Sequence, residues 1–523
     1  MISLKSRTCF IFFIAFVICT APHASAQSKP EESSGTKPTE HQERIQRIEA
    51  TVVDLPMGEK ESALRLSLSN LMKLYKVPGL SIAVIDNYQV AWTKEYGVIG
   101  VGSSAPVGAK TLFQAGSISK SVAATGALYL VEQGKLSLDE DINQNLRTWK
   151  VPENEFTKNE KVTLRRLMSH TGGLTVHGFP GYDVDEKLPT LVQVFDGEKP
   201  ANTAPIRVDI VPGTKVRYSG GGVTIEQQLM TDVTGKAFPE LMREIVLDKI
   251  GMTSSSYEQP LSADRAIMTA SGTYQDGKAV HGRWHIYPEM AAAGLWTTPT
   301  DLAQFAIEIA NSKRGKSNRV LSEKMTKEML TPVLEGAGLG FFLEKENPGQ
   351  FGHNGADEGF QALLTMNAES GKGVVIMANS DNGIAVGDLV LRKVAKEYSW
   401  NYKFEGGPPT LVLIAKLRGT EAALKRYTEL KKSGASKNEV GESALNGLGY
   451  ALLYSGQEKD AITVFQRNAQ EYPQSSNVWD SLGEAYMKTG QKQLAIQNYE
   501  KSLQLDPENQ NAVTMLKKLK GSE

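Results

Sequence analysis

Hydrophobic and polar positions follow two regimes along this chain. Up to about residue 400, β-like runs alternate with helical stretches; beyond Gly406-Gly407-Pro408-Pro409 the spacing is helical throughout. In the first regime Leu64, Leu66, Leu68, Leu71 and Met72 predict a helix over 62–75, ended by Pro78-Gly79. Runs 80–85 and 89–96 flank Asp86-Asn87 and predict a hairpin. Val122, Leu128, Leu130 and Val131 give 117–133 an apolar helical face, stopped by Gly134. Far downstream, 360–366 and 373–377 are two more strand-like runs joined by Ala368-Glu369-Ser370-Gly371. Strands at both ends with helices between them predict one α/β domain over 45–400, its sheet closed by distant segments.

In the second regime a period of 34 runs through 442–509. Leu448, Gly449, Leu452, Ala461, Phe465 and Pro473 recur as Leu482, Gly483, Tyr486, Ala495, Tyr499 and Pro507, and Trp479 opens the second copy. Small residues where helices cross, aromatics between them and a closing proline match the tetratricopeptide (TPR) helix pair. The prediction is an all-α domain over 401–523 with repeats at about 442–475 and 476–509. Two repeats alone are marginal, so 411–432 is read as a degenerate pair and 512–520 as a closing helix.

Ahead of both domains, Lys5 and Arg7 precede the apolar run 9–20, and Ala24-Ser25-Ala26 supplies a cleavage site. Residues 1–26 are read as a signal peptide, which implies export to the periplasm or beyond and leaves no membrane span after cleavage. Polar residues rich in Ser, Pro, Glu and Lys follow, and 27–44 is read as a flexible linker. Both cysteines, Cys9 and Cys19, fall in the signal segment, so the mature chain has neither disulfides nor thiolate chemistry. A net charge of −1 gives no electrostatic reason to expect nucleic acid.

The chemistry centres on Phe113-Gln-Ala-Gly-Ser117-Ile-Ser-Lys120. Ser117 falls where a helix begins and Lys120 lies one turn on, on the same face. A serine hydroxyl is a weak nucleophile until a base takes its proton, and a desolvated lysine can do so. The same S-x-x-K text at Ser34–Lys37 has no helix to sit on, and for Ser117 taken alone an N-cap role competes evenly. A second element, Pro212-Gly-Thr-Lys-Val-Arg-Tyr218-Ser-Gly220, poises a phenol before a glycine-rich turn. A third, Phe351-Gly-His353-Asn-Gly355-Ala356, stands just before a strand.

Together these elements resemble the three boxes of the class C β-lactamase, penicillin-binding esterase and D-amino-acid peptidase family. Thr163-Leu-Arg-Arg-Leu-Met-Ser-His170-Thr-Gly-Gly and Ala291-Ala-Ala-Gly-Leu-Trp-Thr-Thr-Pro-Thr-Asp301 extend the likeness over about 60–385. The resemblance implies an antiparallel sheet flanked by helices, with an all-helical insertion, and no cofactor or metal. It implies Ser117 as nucleophile, Lys120 as its proton partner and Tyr218 as general base. The backbone amides of Ser117 and Ala356 would form the oxyanion hole, with His353, Gly355 and Gly220 lining the substrate site.

Two departures bear on substrate. Gly220 stands where β-lactamases usually carry asparagine, and His353 stands where they carry lysine, so the permanent cation for a β-lactam carboxylate is missing. The expectation is a secreted serine hydrolase acting through an acyl-enzyme on ester, amide or peptide substrates. A non-turnover peptidoglycan or β-lactam sensor, or an envelope protein docked through its repeats on a protein or peptide, are the alternatives. Lys432-Ser433-Gly434 copies the lysine box as text but lies in the helical tail. His170 reads as a turn-fixing side chain, His281 and His285 lack the context of a metal motif, and Thr298-Pro299-Thr300-Asp301 reads as a helix start.

Overall fold

The computed structural model describes residues 39–55, 62–404 and 409–521. The signal segment, most of the linker and Ser34–Lys37 lie outside the described residues. Helix α1 (Glu40–Ala50) comes first, started by a Thr39–Gln42 capping box. Residues 40–44 therefore belong to a helix and not to the linker, because Ile45 and Ile48 on its inner face pack into the core.

A six-stranded antiparallel sheet follows: β1 (Gly79–Asp86), β2 (Gln89–Gly97), β3 (Phe342–Leu343), β4 (Gln350–Asp357), β5 (Phe360–Asn367) and β6 (Lys372–Ala378), in the order β2-β1-β6-β5-β4-β3. The β1–β2 hairpin turns through Asn87 and Tyr88, both at positive φ, the backbone of the tight turn that matches strand twist. β1 and β6 come from opposite ends of the domain yet pair in register, Val84 against Val374 and Ile82 against Ile376. Their side chains alternate between two cores. Ala83, Ile85, Val375 and Met377 face one, with α2 (Ile118–Glu132), α3 (Gly220–Thr234) and α4 (Pro299–Lys313). Leu80, Ile82, Val84, Val374 and Ile376 face the other, with α1 and α5 (Gly383–Glu397). The predicted strands and closing pairing are present, and so is the helical insertion between β2 and β3.

One predicted helix is shorter than its apolar spacing suggests. Leu64–Leu66 pairs as a strand with Val53–Leu55, and the helix spans only Leu68–Leu74, started by the Ser67 hydroxyl, which accepts from the Asn70 amide. Leu64 and Leu66 are two apart and obey a period of two, the repeat of a strand face and not of a helix.

The helical tail begins with α6 (Thr410–Arg418). Leu413 packs into the core between α5 and the sheet, while Leu411 and Ile414 join the repeat core. Lys416 Nζ lies 4.9 Å over the Tyr75 ring. Helices Glu442–Tyr454, Glu458–Glu471, Ser476–Lys488 and Lys492–Leu505 form the two repeats, and Gln510–Lys520 closes the stack. The repeated glycine has a local cause: a Cβ on Gly449 would stand 2.5 Å from the Phe465 ring, and one on Gly483 3.2 Å from Tyr499. Among the described residues no helix is long and apolar enough to cross a membrane.

Candidate active site

α2 is buried over nearly its whole length, so its first turn is fixed by the core. Ser117 precedes it, and its hydroxyl makes no capping bond, which removes the N-cap explanation for this serine. Instead Lys120 Nζ donates to Ser117 Oγ at 2.9 Å and to the Ala292 carbonyl at 2.6 Å. Lys120 is only 3% exposed. Ala292 is held in turn by Gln227 of α3, whose Oε1 accepts from the Ala291 amide at 2.9 Å and whose Nε2 donates to the Pro288 carbonyl at 3.2 Å.

β4 passes so close to the start of α2 that only glycine fits on both sides. A Cβ on Gly355 would lie 1.9 Å from the Ala115 carbonyl oxygen and 3.1 Å from the Ser117 amide nitrogen. One on Gly116, itself at φ +51°, would lie 2.4 Å from the Ala356 nitrogen. The backbones bearing the Ser117 and Ala356 amides are thus in contact across these glycines. Among the described residues the Ser117 amide has no hydrogen-bond acceptor.

Tyr218 is set by its neighbours in the chain. The Arg217 amide donates to the His170 carbonyl at 2.8 Å, and its guanidinium holds the Gly173 and Leu174 carbonyls. Ser219 caps α3 by accepting from the Gly222 amide, and its hydroxyl donates to the Thr175 carbonyl. The Tyr218 ring faces Lys120, with Nζ 5.1 Å from its centroid. His170, His177 and His353 surround the ring at centroid distances of 4.3, 4.8 and 6.0 Å. His170 does fix a turn, since its Nδ1 accepts from the Ser219 amide, and it also packs on the phenol.

His353 is buried and its Nδ1 meets the Asn354 carbonyl at 2.6 Å. A carbonyl only accepts, so Nδ1 carries the proton and Nε2 presents a lone pair; no protein group bonds it. Burial first, then the charge of Lys120, lowers its pKa to about 4, so the ring is neutral at ordinary pH. The same two causes lower His170 and His177. Gly220 is placed differently from its predicted role. Its amide donates to the His177 carbonyl, and a Cβ there would lie 3.0 Å from that oxygen and 3.2 Å from the Phe179 ring. The loop fills the space an asparagine would need, so Gly220 faces that loop and not an open subsite. His281 and His285 are spent on Asp183 and the Pro180 carbonyl. Asp301 anchors its loop by accepting from Ser254 and Ser255.

Among the described residues, four ionisable groups of this domain stand outside the motifs and still bear on its interior: His177, Glu226, Glu289 and Asp357. Glu226 and Glu289 are fully buried, and none of their four carboxylate oxygens has a hydrogen-bond partner. Burial pushes Glu226 up to about 8, with Lys120 pulling against it, and Glu289 up to about 7. Asp357 is raised by burial against the pull of Lys120 and a bond from the Gly116 amide. Nothing in Thr224-Ile-Glu-Gln-Gln228 as text marks it as interior, and only the packing of α3 shows it buried.

A Ser117–Lys120 pair at one helix start, a phenol at a second and a glycine-bearing strand, beside one antiparallel sheet, define the serine β-lactamase and penicillin-binding class of fold. The Beta-lactamase family model matches residues 65–397, and the chain belongs to that family; a tetratricopeptide repeat model matches 476–509. Similar curated proteins include a β-lactamase of Pseudomonas fluorescens, 29% identical over 238 residues, covering 45% of this chain and 60% of that one. An unguisins hydrolase of Aspergillus violaceofuscus is 26% identical, covering 59% of each chain. Penicillin-binding protein 4 of Amycolatopsis lactamdurans is 26% identical, covering 60% of this chain and 82% of its own. The match thus spans about 60% of the length of the first two relatives. Among solved structures, the octameric penicillin-binding protein homologue from Pyrococcus abyssi aligns over 63% of this chain and 77% of its own, with a TM-score of 0.52 and 22% identity.

Proposed function

We propose that this chain is an exported serine hydrolase that works through a covalent acyl-enzyme on ester, amide or peptide substrates. The observation that carries the reading is the 2.9 Å bond between Lys120 Nζ and a Ser117 hydroxyl that caps nothing. Ser117 Oγ attacks the carbonyl carbon as Lys120, in its amine form, takes the hydroxyl proton. The carbonyl π electrons move to oxygen, where the Ser117 and Ala356 amides donate hydrogen bonds to the resulting oxyanion. Tyr218, beside Lys120, passes a proton to the leaving group and then takes one from the water that releases the acyl group, while Lys120 returns its proton to Ser117 Oγ as the ester bond breaks. Neutral His353 offers a lone pair in place of a cation, so the site favours uncharged groups beside the scissile bond and turns β-lactams over slowly.

Residues 1–26 would direct export, and the repeat module would bind a protein or peptide. The central test is intact-mass spectrometry after exposure to a fluorophosphonate. A single adduct lost in Ser117→Ala is expected; no adduct on the unmodified chain, or one that survives that substitution, overturns the reading. Substrate class is resolved by assaying short-chain esters, D-amino-acid peptides and a chromogenic cephalosporin, with the cephalosporin expected to be the poorest.

A further inference from the structure

Phe341 and Phe342 are neighbours where β3 begins, and they take opposite parts. Phe341 is buried and meets Phe305 and Phe351 in the core, at centroid distances of 6.0 and 5.0 Å. Phe342 is 39% exposed, and among the described residues no other phenylalanine or tryptophan is an exposed one. A single exposed ring is ordinary on a protein surface. The rings that this one touches are not.

β3 pairs through Phe342 with Gly352 of β4, one residue before His353. The backbone there is fixed further by the Leu343 amide, which donates to the Gly336 carbonyl at 2.8 Å. So held, the Phe342 ring lies 5.2 Å from His353, 6.1 Å from His170 and 6.2 Å from Tyr218 between centroids. It is within 19° of parallel to His170 and 21° of parallel to Tyr218. Two cations beside Tyr218 are already bonded. The Arg217 guanidinium serves the Gly173 and Leu174 carbonyls and Asp209, and Lys120 Nζ donates to Ser117 and Ala292. What β3 adds to the site is thus an uncharged aromatic face next to the phenol, and such a face gains most by covering another apolar group.

We propose that Phe342 is a specificity-determining residue that receives the leaving group of the substrate, and that the preferred leaving group is a benzyl-type or similarly apolar alcohol or amine. This rests on reading Tyr218 as the proton donor to that group. The atom that takes the proton must come within hydrogen-bond reach of the phenol, and its substituent is then carried to the ring stacked beside the phenol. No bond at Phe342 forms or breaks. Transfer of the acyl group to Ser117 frees the alcohol or amine, which Phe342 only binds.

The test compares two esters of one acid, methyl acetate and benzyl acetate, in the full chain and in Phe342→Ala, Phe342→Leu and Phe342→Tyr. Both esters pass through the same acetyl-enzyme, so the ratio of their kcat/KM values reports the leaving-group side alone. The unmodified chain should prefer benzyl acetate, and Phe342→Ala should lower that preference by about tenfold. Phe342→Tyr should keep it and Phe342→Leu should fall between. Methyl phenylacetate against methyl acetate puts the aromatic group on the acyl side instead, and that ratio should not move. A ring that only covered surface would change every kcat/KM value by one factor, so an unchanged benzyl preference in Phe342→Ala overturns the proposal. A loss confined to methyl phenylacetate also overturns it, because Phe342 would then serve the acyl group. Labelling of Ser117 by a fluorophosphonate without hydrolysis of either acetate does the same. The thermal midpoint of Phe342→Ala should match that of the unmodified chain; if that variant fails to fold, Phe342→Leu carries the same comparison. A chain that no fluorophosphonate labels would mean instead that the hydrolase reading had failed, and the proposal with it.

Discussion

In the repeat module Gly449 meets Phe465 and Gly483 meets Tyr499, contacts made within a single helix pair. The side-chain oxygens left without a hydrogen bond there, on Asn446, Asn468 and Tyr499, are neutral. In the β-lactamase-family domain the groups that matter most meet across long separations. Lys120 reaches the carbonyl of Ala292, and Gly116 lies against Ala356. Its interior also holds Lys120, Glu226, Glu289 and Asp357, with carboxylate oxygens unpartnered on all three acids. A module that has only to keep its shape can be assembled from local apolar contacts. One that carries chemistry retains ionisable groups in its core at the expense of stability.

The contrast is broken most sharply at Ser117, the proposed nucleophile. Ser117→Ala should abolish the adduct, with the thermal midpoint unchanged, because Ser117 supports neither the helix start nor the core. Lys120→Met should lower the acylation rate by about a thousandfold or more, followed by the same fluorophosphonate assay. The converse substitution is Gly449→Val, which drives a branched side chain into the Phe465 ring. It should destabilise the repeat module by about 1–3 kcal/mol in denaturant titration while leaving acylation unaltered. A fall in acylation with Gly449→Val would show that the modules are functionally coupled through α6.

These separations also explain what could be read along the chain. The repeats were legible because each partner returns after 34 positions and the glycine, alanine and aromatic signals recur together. Ser117, Lys120, Tyr218 and His353 were legible because each sits in a short motif tied to a helix start or strand edge. Glu226 and Glu289 were not, since nothing local distinguishes a buried glutamate from a solvated one; the burial comes from α2 and the Met290–Ala293 helix closing over α3. The helix over 62–75 failed for a related reason: Leu64 and Leu66 answer to a strand partner at Val53–Leu55, invisible to a sliding period.

A smaller effect sharpens the same point. Gln227 holds the backbone that presents Ala292 to Lys120. Gln227→Leu keeps the volume but frees that backbone, so the acylation rate should fall about tenfold, equivalent to about 1.4 kcal/mol. The fall should appear as a lower maximal rate with little change in apparent probe affinity. Loss of probe affinity alone would mean that the clamp serves the substrate site and not the lysine.

The smallest effect is a pH dependence of stability that should differ in sign between the modules. In the repeat module burial raises Glu471, but Lys431, Tyr427 and Arg467 together hold its pKa below the ordinary 4.5. That carboxylate stabilises the fold above the unfolded value and loses its contribution as pH falls through the folded one. Glu289 has no partner, and burial raises it to about 7. The folded state keeps a proton that the unfolded chain releases from about 4.5 upward, so stability is lost as pH rises from there through about 7. Glu289→Gln removes that loss. Its thermal midpoint should pull ahead of the unmodified chain between pH 5 and 8, measured calorimetrically, by about a few degrees. Glu471→Gln should fall behind the unmodified chain at neutral pH and rejoin it in acid. Parallel midpoint curves for Glu289→Gln and the unmodified chain would mean that a buried cation or proton donor already satisfies this acid, and that the two interiors differ less than their hydrogen bonds imply.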